Sequence, residues 1–223
     1  NILNIVDEKI DLNKIKNLYI FSVGKAGFSM AKECEKILED KINAGLAIST
    51  SKGKLKYIKH FKASHHLVCK KRIKAGTLLL DEVSNLQEDD YFIFLLSGGA
   101  SAMIEKPIDG LNLDDFSKIS KALLSSGIDI KALNSVRKSI SQIKGGKLAN
   151  SIKAQGSVLV LSDVIGDDLN TIGSAPMNNG KFKHYIIGNN KIALKKAKKY
   201  IDKKVDKTKI ITTSLDKNSI EAS

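Results

Sequence analysis

The sequence predicts an α/β domain in which helices cover both faces of a mainly parallel β-sheet. Short runs rich in β-branched and aromatic residues alternate with stretches of helical periodicity, and this alternation requires crossover connections between parallel strands. The run at residues 91–97, YFIFLLS, is continuously apolar, which is typical of a strand buried on both faces.

Predicted strands and helices follow one another from residue 18 onward. Strands are predicted at residues 18–23, 46–50, 58–64, 91–97, 157–161, 184–187 and 210–213. Helices are predicted at about residues 28–40, at 72–86 and from Asn190. The segment 98–156 has mostly helical periodicity, and we expect it to form a cap over the sheet edge.

Composition excludes several classes of protein. The 223 residues are 42% hydrophobic and 27% charged, which rules out a disordered or collagen-like chain. No apolar run approaches the roughly 18 residues of a membrane-spanning helix, and no export signal opens the chain, so we expect a cytoplasmic protein without a membrane partner. Cys34 and Cys69 cannot build a disulfide framework and lie in no zinc-binding spacing, so we expect plain thiols.

The formal net charge of +13 comes almost entirely from two segments. Nine lysines and arginines and no acids lie between Lys52 and Lys74, and eight lysines with two aspartates lie between Lys191 and Lys207. A surface of this kind attracts polyanions in general. Because Arg72 and Arg137 are the only arginines, the pattern favours a solvated lysine-rich surface over specific nucleic-acid binding.

Glycine-rich or polar segments follow three predicted strands. They are GKAG at residues 24–27, SGGAS at 97–101 and SDVIGDD at 162–168. Ligands of open parallel sheets bind beyond the carboxyl ends of the strands. We therefore expect the three segments to converge on a ligand.

The first two segments suit an anion. Lys25 stands where a strand passes into a helix, whose N-terminus favours negative charge. The spacing is not that of a P-loop, and an ordinary turn with a surface lysine explains it equally well. At the second segment, Gly98 and Gly99 let the backbone approach a phosphate closely, and Ser97 and Ser101 offer hydroxyls. A tight turn is the alternative there, but one glycine would usually suffice for it.

The third segment suits a cation. Asp163, Asp167 and Asp168 lie within six residues of each other, and such mutual repulsion is usually tolerated where carboxylates hold a cation or accept a proton. A solvated turn, with Asp168 as its cap, is the alternative. Beside phosphate-binding loops, a hard metal ion is the more economical interpretation.

A further group of cations lies in the predicted helical segment. Arg137 and Lys144 are seven residues apart, or two helical turns, so they could share one face of a helix-turn-helix. A solvated helix face explains the spacing equally well. The adjacent His65 and His66 would point to opposite sides of a strand, which argues against a shared metal ion.

Five motifs in order resemble the glycerate 2-kinase family, some of whose members were labelled hydroxypyruvate reductases. They are GKAG at residue 24, LLSGGASA at 95, LLSSGIDI at 123, NSVRKSISQIKGGKLA at 134 and LSDVIGDDL at 161. The resemblance implies that residues 1–223 are the family's N-terminal Rossmann-like three-layer domain. The family's C-terminal MOFRL domain has no counterpart here, so we expect either a fragment or a reduced member.

The resemblance also implies an activity, namely ATP-dependent phosphorylation of D-glycerate to 2-phosphoglycerate with Mg²⁺, in a cleft between two domains. A homo-oligomer is compatible with the resemblance. The alternative is a non-catalytic module that binds a phosphorylated metabolite or nucleotide. The SDVIGDD segment argues against that alternative, because an anion binder gains nothing from three carboxylates beside its phosphate.

The family's residue roles are carried over by motif. Lys25 becomes the catalytic lysine, Arg137 and Lys144 hold a carboxylate or phosphate, and Asp163 and Asp167 ligate Mg²⁺, with Asp163 alternatively orienting the attacking hydroxyl. The predicted phosphate-binding residues are Gly24, Ser97, Gly98, Gly99, Ser101 and Lys144. His66 matches the histidine of the family's GHPxPD pattern and is assigned to the substrate, although both prolines and the acid of that pattern are absent. The family's SGPT reads SAPM at residues 174–177.

Overall fold

The computed structural model describes residues 1–64, 70–205 and 208–214, which form eight strands, seven α-helices and three single-turn 3-10 helices at Glu39–Lys41, Ile165–Asp167 and Ile172–Ser174. The strands are β1 (Ile2–Ile5), β2 (Glu8–Asp11), β3 (Leu18–Val23), β4 (Ala44–Ser49), β5 (Lys59–Lys62), β6 (Tyr91–Ser97), β7 (Gln155–Leu161) and β8 (Lys183–Gly188). The helices are α1 (Gly27–Leu38), α2 (Lys70–Ser84), α3 (Ala100–Met103), α4 (Leu113–Ser125), α5 (Ile130–Ser139), α6 (Lys147–Asn150) and α7 (Asn190–Ile201).

Six of the strands form one parallel sheet in the order β5-β4-β3-β6-β7-β8. The central pair is β3 and β6, in which Leu18 lies opposite Tyr91 and Val23 opposite Leu96. β1 and β2 form a separate antiparallel hairpin. The predicted parallel sheet is confirmed.

β6 shows why the domain has three layers. All seven of its residues are buried, and successive side chains point to opposite faces of the sheet. Phe92, Phe94 and Leu96 join one hydrophobic core, whereas Tyr91, Ile93 and Leu95 join another. The first core contains Ala75, Leu79 and Val83 of α2, and the second contains Ala31 and Leu38 of α1. The continuous apolar run therefore corresponds to a strand covered on both sides, as expected.

The β1–β2 hairpin, which the sequence does not predict, packs on the α1 side of the sheet through the buried Ile5. Ser157 of β7 donates a hydrogen bond from Oγ to Glu8 Oε2 at 2.7 Å, and Lys183 of β8 pairs with Asp7 Oδ2 at 2.9 Å. Each hairpin strand has four residues, and Ile5 is the one that is fully buried. The periodic apolar signal is therefore too weak to be recognised in advance.

The strand predicted at residues 210–213 is wrong. This segment is irregular, and Ile211 is 91% exposed. Thr213 is held through its carbonyl, which accepts a hydrogen bond from Asn190 Nδ2 at 2.7 Å. A β-branched run becomes a strand where it finds a neighbouring strand to pair with, and within the described residues this run finds none.

The segment between β6 and β7 contains four helices, in agreement with its helical periodicity. α3 and α6 contribute Met103, Leu148 and Ala149 to the core shared with α2. α4 buries Phe116 and leaves most of its other side chains partly or fully exposed. The position of this segment as a cap over the sheet edge remains a prediction.

Gly45 of β4 lies directly beside the backbone of β3. A Cβ atom there would lie 2.1 Å from the carbonyl oxygen of Ile20, which cannot move without distorting the sheet. We expect Gly45→Ala to lower the free energy of unfolding by about 3 kcal/mol, the upper end of the usual cost of overpacking. Chemical denaturation measures this change.

Gly110→Ala is the control, because no heavy atom lies within 4 Å of the added methyl group. Its cost, about 1 kcal/mol, comes from the positive φ of the glycine. Equal losses in the two variants would contradict the steric explanation for Gly45.

Candidate active site

Three loops meet at the carboxyl edge of the sheet, after β3, β6 and β7. The backbone N–H of Lys25 donates to the carbonyl of Gly98 at 2.9 Å, and the N–H of Ala26 donates to Ser97 Oγ at 3.1 Å. From the third loop, the Asp163 carboxylate lies so close to Gly98 that a Cβ atom there would be 1.8 Å from Asp163 Oδ2. The predicted convergence of the three segments is confirmed by these contacts.

The meeting point is where the strand order reverses. From β3 the chain builds β4 and β5 on one side, then crosses to β6, β7 and β8 on the other. Connections from β3 and β6 therefore leave in opposite directions and open a crevice between the two strand ends, where open α/β sheets bind ligands. Gly24 lets the GKAG loop lie directly against Ser97, since its φ is +129° and a Cβ atom would lie 2.3 Å from Ser97 Oγ.

Lys25 is exposed at this edge, two residues before α1 begins. Among the described residues, its ammonium group has no hydrogen-bond or ion-pair partner. A cation without a partner next to a helix N-terminus is available to an anionic ligand.

The residues of the SGGAS loop make different contacts. Ser97 is buried, and its hydroxyl accepts from Ala26 N–H and donates to the Val23 carbonyl at 3.4 Å, so it fixes the turn around Lys25. Gly99 has φ +81° and leads directly into α3. Ser101 is half-buried, and its carbonyl accepts a hydrogen bond from Arg72 Nη2 at 2.7 Å.

The three carboxylates of the acidic loop have different hydrogen-bond partners. Asp163 is exposed and, within the described part of the chain, has no hydrogen-bond partner. Asp167 Oδ2 accepts from Asn189 Nδ2 at 2.6 Å, while Asn189 also caps α7. Asp168 accepts from Thr171 Oγ1 and from Asn170 N–H, and these hydrogen bonds hold the pKa of Asp168 below its ordinary value. Asp168 is therefore the turn cap that the sequence allowed as an alternative.

Asp163 and Asp167 fit a magnesium ion by the chemistry of their donors. In residues 1–64, 70–205 and 208–214, no group of three or more His, Cys, Asp or Glu side chains is placed to hold a metal. Mg²⁺ is usually held by one or two carboxylates, with water and substrate phosphates completing its shell. The carboxylate of Asp163 and the second oxygen of Asp167 match that requirement.

The prediction that Arg137 and Lys144 share a helix face is wrong. α5 ends at Ser139, and Lys144 lies in an irregular turn before α6. Gly145 and Gly146 both have positive φ, which a right-handed helix does not allow. Lys144 therefore does not lie on the helix that carries Arg137.

Lys144 is buried, with 1% of its surface exposed, and its ammonium forms an ion pair with Glu105, which is fully buried. Burial lowers the pKa of Lys144, the charges of Arg72 and Arg137 act in the same direction, and Glu105 opposes them. Glu105 also pairs with Arg72 Nη2 at 3.1 Å. Sequence reasoning missed Glu105 and Arg72, although one signal was present: Arg72 and Arg137 are the two arginines of a chain that otherwise uses lysine.

Two predicted features lie outside the described residues. They are His66 and Cys69, which fall in the segment 65–69.

Cys34 is a free thiol, and burial raises its pKa to about 11, so it is a poor nucleophile at neutral pH. No helix in the described part of the chain is long and apolar enough to cross a membrane.

The sheet order defines a doubly wound α/β protein in which three polar loops meet at the switch point, the usual place of ligand sites in such sheets. The family model that matches residues 2–205 is that of the domain of unknown function DUF4147, and the chain belongs to this family.

Relatives of this chain include proteins named glycerate 2-kinase. The chain is 37% identical over 175 residues to a D-glycerate 2-kinase of Thermotoga maritima, covering 77% of this chain and 42% of that protein. It is 39% identical over 183 residues to a glycerate 2-kinase of Pyrococcus horikoshii, covering 79% and 41%. The crystal structure of the Thermotoga maritima glycerate kinase superposes with a TM-score of 0.68 at 35% identity, covering 84% of this chain and 45% of that one.

The resemblance to glycerate 2-kinases and the α/β fold are thus confirmed. The chain spans about two fifths of the length of the curated relatives it matches.

Proposed function

We propose that this chain forms the N-terminal, phosphate-handling domain of a glycerate 2-kinase, which transfers the γ-phosphoryl group of ATP to the 2-hydroxyl of D-glycerate. One observation carries the proposal: Lys25 and Asp163, whose charged groups have no partner among the described residues, belong to loops that meet around Gly98 at the switch point of the sheet. The relatives, named as glycerate kinases, support the choice of substrate.

The proposed roles follow from charge and exposure. Phosphoryl transfer needs positioning and neutralisation of charge more than covalent chemistry, so Lys25 would stabilise the negative charge of the transferring group. Gly98 and Gly99 would let backbone N–H groups reach the phosphates. Arg137 is half-buried and, as a planar guanidinium, suits the carboxylate of glycerate.

The acidic loop would hold the metal. Asp163 and Asp167 would bind Mg²⁺, which when present neutralises phosphate charge during transfer. Asp163 could instead orient the attacking hydroxyl of glycerate, and the dependence of the rate on Mg²⁺ separates these two roles.

The direct test is a coupled assay on the protein expressed from its complete reading frame. D-glycerate with MgATP is expected to yield 2-phosphoglycerate, which enolase and pyruvate kinase detect without a mutase in the mixture. Nucleotide binding without transfer would instead favour the non-catalytic module. Product seen only when a mutase is added would contradict transfer to the 2-hydroxyl.

Asp163→Asn tests the metal assignment. We expect the Mg²⁺ concentration for half-maximal rate to rise at least about 10-fold, because a ligand carboxylate is lost. Asp168→Asn is the matched control in the same loop, since asparagine keeps the acceptor of the turn and near-normal Mg²⁺ dependence is expected. A fall in rate at unchanged Mg²⁺ dependence would assign Asp163 to the hydroxyl of glycerate and not to the metal.

A further inference from the structure

A buried group of charges lies directly beneath the SGGAS loop. Glu105 is fully buried, and Arg72 and Lys144 are 5% and 1% exposed. Glu105 Oε2 accepts from Arg72 Nη2 at 3.1 Å and from the ammonium of Lys144, while Glu105 Oε1 accepts from Ser141 Oγ at 2.5 Å. One carboxylate thus ties α2, the end of α3 and the turn before α6 to each other.

Two of these ties reach the candidate site. Arg72 Nη2 also donates to the carbonyl of Ser101, so the guanidinium that binds Glu105 holds the last residue of the SGGAS loop. Ser141 Oγ accepts from the backbone N–H groups of Ile143 and Lys144 at 3.2 and 3.3 Å, which holds the turn that carries Lys144. The positions of both segments therefore depend on Glu105.

The group is a poor choice for stability alone. Burying ionised side chains is costly, and a well-packed apolar cluster of the same volume is often at least as stable. What the group supplies instead is fixed geometry, because one carboxylate holds Arg72, Lys144 and Ser141 through directed hydrogen bonds.

We propose that Glu105 is the positioning residue of the phosphate site, fixing the SGGAS loop through Arg72 and the turn before α6 through Lys144 and Ser141, so that the phosphates of the nucleotide meet a loop already held in place. This inference rests on the proposed function in that it takes the nucleotide phosphates as the ligand. Glu105 touches neither ligand nor metal in this scheme and acts through its three partners.

The test is Glu105→Gln, which keeps the shape of the side chain and removes its charge. We expect the Kd for MgATP, measured by calorimetry without glycerate, to rise about 10-fold or more. In turnover, the KM for MgATP should rise by a similar factor while kcat changes less than about threefold. A purely structural role would lower thermal stability and leave both constants of the folded protein unchanged.

Glu82→Gln is the matched control, because Glu82 also pairs with a lysine but does so at the surface of α2. Its MgATP affinity should equal that of the wild type. If Glu105→Gln does not fold, Ser141→Ala removes one of the three ties with less disturbance, and its Kd should rise about threefold. Unchanged affinity in the folded variant overturns the proposal.

The outcomes also separate this inference from the proposed function. If the wild type phosphorylates glycerate and Glu105→Gln binds MgATP normally, the kinase proposal stands and the role of Glu105 is overturned. If the wild type binds MgATP without phosphorylating glycerate and Glu105→Gln binds it more weakly, the kinase proposal is overturned and the role of Glu105 stands. Wild-type protein that does not bind MgATP overturns both.

Discussion

Lys25→Ala is expected to lower kcat for glycerate phosphorylation by about 100- to 1,000-fold, the usual loss when one preorganised group that stabilises transition-state charge is removed. Lys25 is exposed and has no partner among the described residues, so its removal breaks no contact within that part of the fold. Thermal stability should therefore remain within about 0.5 kcal/mol of the wild type. Steady-state kinetics and thermal denaturation of the same preparations measure the two effects.

Lys32→Ala is the control for charge. Lys32 is exposed on α1, about one and a half helical turns after the helix begins at Gly27, and therefore lies away from the loop edge. Its loss changes the net charge equally and should leave kcat within about twofold, because a solvent-screened surface charge contributes little. A Lys25→Ala enzyme with near-normal turnover would remove this lysine from the mechanism.

Gly98→Ala is expected to cost activity far more than stability. The new Cβ would lie 1.8 Å from Oδ2 and 2.2 Å from Cγ of Asp163, so that carboxylate must leave its place. Asp163 is exposed and can rotate away, and we expect the free energy of unfolding to fall by about 1 kcal/mol, the low end for overpacking. The displaced carboxylate would leave the proposed Mg²⁺ site, so kcat should fall about 100-fold.

A double-mutant cycle with Asp163→Asn separates the steric effect from other causes. If Gly98→Ala acts by moving Asp163, the double variant should be no slower than the slower single variant. The reason is that the effects of substitutions at two interacting residues do not add. Gly127→Ala is the control, because it adds a methyl group where no heavy atom lies within 4 Å. Fully additive losses would show that the methyl group blocks the phosphate directly.

The strands of the sheet could be predicted because burial on both faces leaves a local signal. The run at residues 91–97 is apolar throughout, and β6 has those same bounds. The hairpin could not be predicted, since its short strands are stabilised by Ser157 and Lys183, which are far away in the sequence. The run at residues 210–213 has the composition of a strand, but residues 1–64, 70–205 and 208–214 offer it no strand to pair with.

The site was predictable to a similar extent. The convergence of GKAG, SGGAS and SDVIGDD follows from parallel topology alone, because parallel strands end at one edge of the sheet. The state of Lys144 does not follow from its motif, since the residue that buries and neutralises it, Glu105, is 39 positions away. Sequence spacing carries no information about an ion pair between residues so far apart, and here it also suggests a shared helix face that the end of α5 at Ser139 interrupts.

The N-terminal hairpin has a consequence for the order of folding. It is the first part of the described chain to be synthesised, yet the partners of Glu8 and Asp7 come 149 and 176 residues later. An isolated two-stranded hairpin is at best marginally stable in water, so β1 and β2 can settle only after β7 and β8 have joined the sheet. Contacts of such long sequence separation slow folding. The hairpin is therefore among the last parts of the described chain to reach its native place.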